Sequence, residues 1–155
     1  MSQLNLSPLE YEILAGIDSE EVINFLQDLI RQRSDYPPGD CRSAIRVVAN
    51  KLAAEGIGYA IFARQDHQPN LIAGLGHSNR KPSLMYHAHI DTVPAGDLSR
   101  WSVDPFSGER KVGRVYGRGA GDDKGSVAAQ VMALVTLARA EVNFKVNLRV
   151  VVVSD

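Results

Sequence analysis

Residues 146–153 read VNLRVVVV, a nearly unbroken run of β-branched side chains. Valine is stiff at χ1 and packs better on a pleated surface than on a helix. The run does not alternate apolar with polar, so the strand it forms expects cover on both faces. Strands of that kind belong to parallel or mixed sheets sandwiched by helices. The rest of the chain must therefore supply those helices and the partner strands.

Two helices are legible early. Asp18-Ser19-Glu20-Glu21 is a start signal, with Asp18 able to cap and Glu21 three residues on. Val22, Ile23, Leu26, Leu29 and Ile30 then follow at helical spacing, and Pro37-Pro38-Gly39 forces a stop. Asp40 is placed to cap a second helix, whose apolar face is Ala44, Val47, Val48 and Leu52 and whose end is marked by Gly56. Residues 125–140 form a third helical pattern, apolar over most of its circumference. Between them, residues 57–62, 71–75 and 83–88 read as strands, and residues 107–116, with Gly113 inside, as a small hairpin. Residues 1–17 are weakly periodic and suit a short helix or an arm. The expected fold is α/β: a three-layer sandwich with a mostly parallel or mixed sheet and helices on both faces, its site at the carboxyl ends of the strands.

Composition bounds the function. The chain has 155 residues, which predicts one domain. Seventeen basic residues against eighteen acidic ones give a net charge of -1, with no electrostatic footprint for nucleic acid or membrane. The first basic residue is Arg31, no apolar run is long enough to span a bilayer, and Cys41 is the only cysteine. A cytoplasmic protein without internal disulfides is expected.

The chemistry concentrates between Ser83 and Gly125. His89 and Asp91 follow a strand and are separated by one residue, so in extended chain their side chains point the same way. In one geometry His89 binds a metal through one ring nitrogen while Asp91 holds the other; in the bland alternative they are two loop residues. His87 shares the His89 side of its strand. It reads as a third ligand or, preferably, as a core histidine bonded to a main-chain carbonyl. His67 and His77 lie in polar loops and are expected at the surface. Asp122 ends the glycine-rich block 117–121 just before the third helix. A dinucleotide loop needs glycine where Asp122 stands, and a P-loop needs glycine where Asp123 stands. That leaves a metal carboxylate or a helix cap, two readings that stand level on these residues. Imidazole and carboxylate without thiolate suit zinc or a similar ion.

Taken together, three blocks carry a resemblance: His89-Ile90-Asp91-Thr92-Val93-Pro94, then Trp101 with Pro105-Phe106, then residues 116–125, YGRGAGDDKG. Their order and spacing resemble the family of acetylornithine deacetylase, succinyl-diaminopimelate desuccinylase and carboxypeptidase G. Weaker similarity extends to Pro37-Pro38-Gly39 and Asn70. The resemblance implies a hydrolase with two divalent metal ions, zinc first and cobalt or manganese as substitutes, that cleaves amide bonds of N-acyl amino acids or small peptides. It implies His89 as a metal ligand, Asp91 as the catalytic-site residue that orients His89, and Asp122 as the carboxylate between the ions. Asp123 departs from the methionine common there, and His87 matches no ligand position.

In the family, a strand like 146–153 leads into a glutamate pair, a general base and a metal ligand, about where this chain has Asp155. The expectation is that residues 1–155 form the N-terminal part of a catalytic domain and are inactive alone. The inserted dimerisation and lid domain, the later ligands and the homodimer of the parent enzyme would lie outside them. The alternative is a stand-alone, non-catalytic metal-binding or interaction domain whose open sheet edge recruits a partner.

Overall fold

The computed structural model describes residues 5–76 and 82–154. His77, Leu4 and Asp155 therefore lie outside the described residues. Helix α1 (Pro8–Ala15) is the short helix allowed by the first segment. It starts with a capping box in which the Ser7 side chain accepts from Glu10 N and Glu10 reaches back, and it buries none of its residues. Helix α2 (Ser19–Arg31) begins as expected: Asp18 accepts from Glu20 N at 2.9 Å and from Glu21 N at 3.2 Å. It buries Phe25, Leu29 and Ile30, whereas Val22, Ile23 and Leu26 stay half-buried. Helix α3 (Arg42–Ala54) has Cys41 rather than Asp40 at its N-cap. Asp40 still accepts from Arg42 N at 3.1 Å, but its carboxylate is turned mainly to the Arg42 guanidinium. Gly56, at φ +67, ends the helix in the left-handed region that glycine tolerates.

Strands β1 (Tyr59–Ala63), β2 (Pro69–Leu75) and β3 (Ser83–His89) follow, then the hairpin β4 (Glu109–Lys111) and β5 (Arg114–Tyr116), helix α4 (Lys124–Arg139) and strand β6 (Asn147–Val153). The main sheet has the order β1-β2-β6-β3. It is mixed: β3 and β6 run parallel through the α4 crossover, while β2 pairs antiparallel with both β6 and β1. The valine run thus takes an inner position, as its composition requires.

Register defines the core. Leu71 and Ala88 pair with Val152, and Ala73 pairs with Val150, so these side chains share one face. They are buried together with Leu29, Val48, Leu52, Val131 and Val135. Helices α3 and α4 pack on this face, and α2 packs against both of them. Each leucine or valine so removed from water contributes about 1.5–3 kcal/mol before entropy is charged against it. The other face carries Ile72, Val151 and Val153 half-buried and Met85 exposed. Among the described residues the expected helical cover is therefore present on one face only. This corrects the reading of His87: it lies on the uncovered face and is exposed, not a core histidine. His67 is a half-buried loop residue whose carbonyl accepts from Cys41 N at 2.9 Å.

Candidate metal centre

The parallel pairing of β3 with β6 brings the end of β3 beside the start of α4, the position where open α/β sheets place ligands. His89 is the last residue of β3, and Asp122 and Asp123 immediately precede α4. His89 Nε2 lies 3.0 Å from Asp122 Oδ1. Its Nδ1 faces the main-chain oxygen of Asp91 at 3.2 Å and the Asp91 carboxylate at 3.4 Å. The fold brings His89, Asp91 and Asp122 together from positions 33 residues apart in the chain. Both ring nitrogens meet oxygen acceptors, an arrangement that suits the doubly protonated imidazolium. Burial opposes that charge, but the hydrogen bond to Asp122 and the charges of Asp91, Asp122 and Asp123 outweigh it. The His89 pKa is raised.

Asp123 takes the N-cap position of α4 without a side-chain cap bond, and the Asp122–Asp123 peptide is cis. Capping therefore explains neither carboxylate. The Asp122 side chain is 91% exposed, and among the described residues its side-chain partner is His89.

Glycines shape this loop for contact rather than for phosphate. A Cβ on Gly119, at φ +85, would come 2.7 Å from Thr92 Cγ2, and one on Gly117 would meet Ile30 Cγ2 at 2.5 Å. Arg118 N donates to Pro105 O at 2.7 Å, and the Arg118 guanidinium stacks over Trp101 at 5.4 Å. On the other flank, segment 34–36 is zipped to 90–92: Thr92 N donates to Ser34 O at 3.1 Å and Tyr36 N to Thr92 O at 2.9 Å. The buried Ser34 hydroxyl donates to Ile90 O at 2.8 Å. Beneath the loop, Lys124 is fully buried, and burial pushes its ammonium down to about 8. The sequence alone points to no role for Ser34 or Lys124. A serine before a turn and a lysine beside two aspartates carry no sign of burial, and only the tertiary fold encloses them.

The donor set fits a divalent ion in part. Two donors bound to one ion at zinc-like distances stand about 3 Å apart, which is the spacing of His89 Nε2 and Asp122 Oδ1. Among the described residues, no group of three or more histidine, cysteine or acidic side chains is placed to hold a metal.

The profile of peptidase family M20/M25/M40 matches residues 85–155. A succinyl-diaminopimelate desuccinylase of Rhodospirillum centenum is 41% identical over 118 residues, 72% of this chain and 29% of that protein. The crystal structure of human carnosine dipeptidase 1 superposes with a TM-score of 0.76 at 25% identity, covering 94% of this chain and 33% of that one. An M20 family metallo-carboxypeptidase of Sulfolobus solfataricus gives 0.70 at 25% identity, with 89% and 31% covered. The chain spans about a third of the length of these relatives. The matched segment begins on β3 and contains His89, Asp91 and Asp122, and over it the chain matches peptidase family M20/M25/M40.

Proposed function

We propose that this chain is part of a metal-dependent hydrolase that cleaves the amide bond of an N-acyl amino acid or small peptide, and that residues 1–155 are the N-terminal part of its catalytic domain. The observation that carries this is the His89–Asp122 contact at 3.0 Å, with Asp91 behind the imidazole. The desuccinylase name of the relative supports an N-acylated amino acid as substrate. The dipeptidase and carboxypeptidase names of the structural neighbours support a linear amide bond.

In this reading His89, through Nε2, and Asp122 hold a divalent cation, zinc first and cobalt or manganese as substitutes. Two such ions, when bound, supply an acidified water and polarise the scissile carbonyl. Asp91 and its main-chain oxygen fix the His89 tautomer by holding Nδ1–H, which aims the Nε2 lone pair and raises its basicity. Loading requires loss of the Nε2 proton, so affinity falls as pH drops. The general base is assigned to a carboxylate outside residues 1–155, so the chain alone is inactive. A cytoplasmic location and a homodimeric parent, with small-molecule substrates rather than nucleic acid or membrane, complete the reading.

One observation favours a second reading, a non-catalytic metal-binding or interaction domain: the described residues offer two direct metal donors and no third. Both readings meet one experiment. The complete gene product is stripped with chelator, resupplied with zinc and assayed on N-succinyl and N-acetyl amino acids. Zinc-restored hydrolysis that His89→Ala abolishes supports the enzyme. Zinc binding without hydrolysis supports the second reading.

A further inference from the structure

The glycine-rich block contains one residue the metal reading leaves without a task, Lys124. It heads the fully buried side chains, with 1% exposure. A buried ammonium is costly unless its hydrogens are taken up. Its hydrogen-bond partner is no carboxylate: Nζ donates to the main-chain oxygen of Gln32 at 2.6 Å. Gln32 caps the C-terminus of α2, where the helix dipole favours a cation. Two residues further on, Ser34 enters the zipper with 90–92 that flanks Asp91. On its other side, Lys124 N donates to Gly119 O at 3.0 Å and closes the loop that presents Asp122. Its stem lies along Gly119, where a Cβ would stand 3.1 Å from Lys124 Cδ. One side chain thus joins the Asp122 loop, the end of α2 and, through Ser34, the strand end bearing His89 and Asp91.

We propose that Lys124 is a positioning residue: its buried ammonium locks the Gln32 carbonyl and so fixes the Asp122 loop against the His89–Asp91 strand end. This rests on the metal reading of the site. A purely electrostatic role predicts the opposite sign, because a nearby cation repels a metal ion and its removal would tighten binding.

The test uses Lys124→Met and Lys124→Gln in the complete gene product, the second keeping a donor in the cavity to secure a folded variant. Zinc affinity is measured by competition with a chromophoric chelator, beside the melting temperature. The His89 imidazole is followed by ¹H–¹⁵N NMR in the metal-free protein. The lock predicts tenfold or weaker zinc binding, the scale of an outer-sphere loss, and loss of the hydrogen-bonded Nε2–H signal in folded protein. Unchanged or tighter zinc binding with that signal intact overturns it, since a merely structural lysine would lower melting temperature alone. Should wild type bind no zinc, the metal reading falls, and the NMR signal, which needs no metal, still decides whether Lys124 positions His89 and Asp122.

Discussion

Two charged clusters stand at different places in this fold and are built on opposite principles. Where α2, α3 and α4 meet, Glu21 and Glu55 face Lys51 and Arg139. Arg139 reaches Glu21 at 2.7 Å and Glu55 at 2.5 Å, and Lys51 reaches Glu55 at 3.1 Å and Glu21 at 2.5 Å. Two acids meet two bases, so the charges close on themselves. At the end of β3, three carboxylates, Asp91, Asp122 and Asp123, gather around the single imidazole of His89. Among the described residues no lysine or arginine forms an ion pair with Asp122 or Asp123. A balanced network fastens helices; at the strand end the outer carboxylates Asp122 and Asp123 have the His89 imidazole beside them and no lysine or arginine ion pair among the described residues. On the proposed reading the first serves stability and the second a ligand.

That contrast can be broken most forcefully at its acidic end. In the complete gene product, His89→Ala and Asp122→Ala should each lower zinc-dependent hydrolysis by more than the 10–100-fold that an outer-sphere loss costs. Both should leave unfolding free energy within about 0.5 kcal/mol, as for a surface change. Activity assays beside urea melts check the pair. A loss of several kcal/mol would make the cluster structural. Next in size, Asp91→Asn should cost 10–100-fold in activity or metal affinity, since it acts through His89.

The balanced cluster should answer in the other currency. Arg139→Met leaves Glu21 and Glu55 to share Lys51 and should destabilise by about 1 kcal/mol after solvent screening, with turnover per folded molecule unchanged. The clusters should also differ in the sign of their pH dependence. Hydrogen bonds from Arg139, then Lys51, hold the Glu21 carboxyl at about 2. Its contribution is full above the unfolded value near 4.5 and is lost as pH falls toward 2. Denaturation between pH 5 and 2 should show that loss, and Glu21→Gln should remove it. His89 is raised instead, so in metal-free protein its contribution is present below 6.5 and lost as pH rises through the raised pKa. Asp122→Asn should move the His89 titration, read by NMR, back toward its ordinary value. Smallest of all, Asp123→Asn should change stability by under about 0.5 kcal/mol, as its side chain caps nothing.

Much of the fold was legible because periodicity records which face meets the core. The Asp18 cap, the Leu29–Ile30 face of α2, the hairpin around Gly113 and the valine strand all appear where local pattern puts them. Phe25 is buried too, although the helical stripe is complete without it. His87 was misplaced for a different reason: alternation tells which side chains share a face, not whether that face is covered. In the site, the shared face of His89 and Asp91 followed from strand geometry, but the approach of Asp122 depends on the α4 crossover. Spacing alone left Asp122 level between cap and ligand. The absence of a side-chain cap bond at α4 and the contact with His89 are tertiary facts.

The most direct test of the central claim is a zinc titration of the chelator-stripped complete gene product by calorimetry, wild type against His89→Ala, at a pH above the raised His89 value. If His89 and Asp122 are half of a metal site, wild type binds and the variant loses affinity by more than 100-fold. Equal affinity and stoichiometry in the two proteins would contradict it.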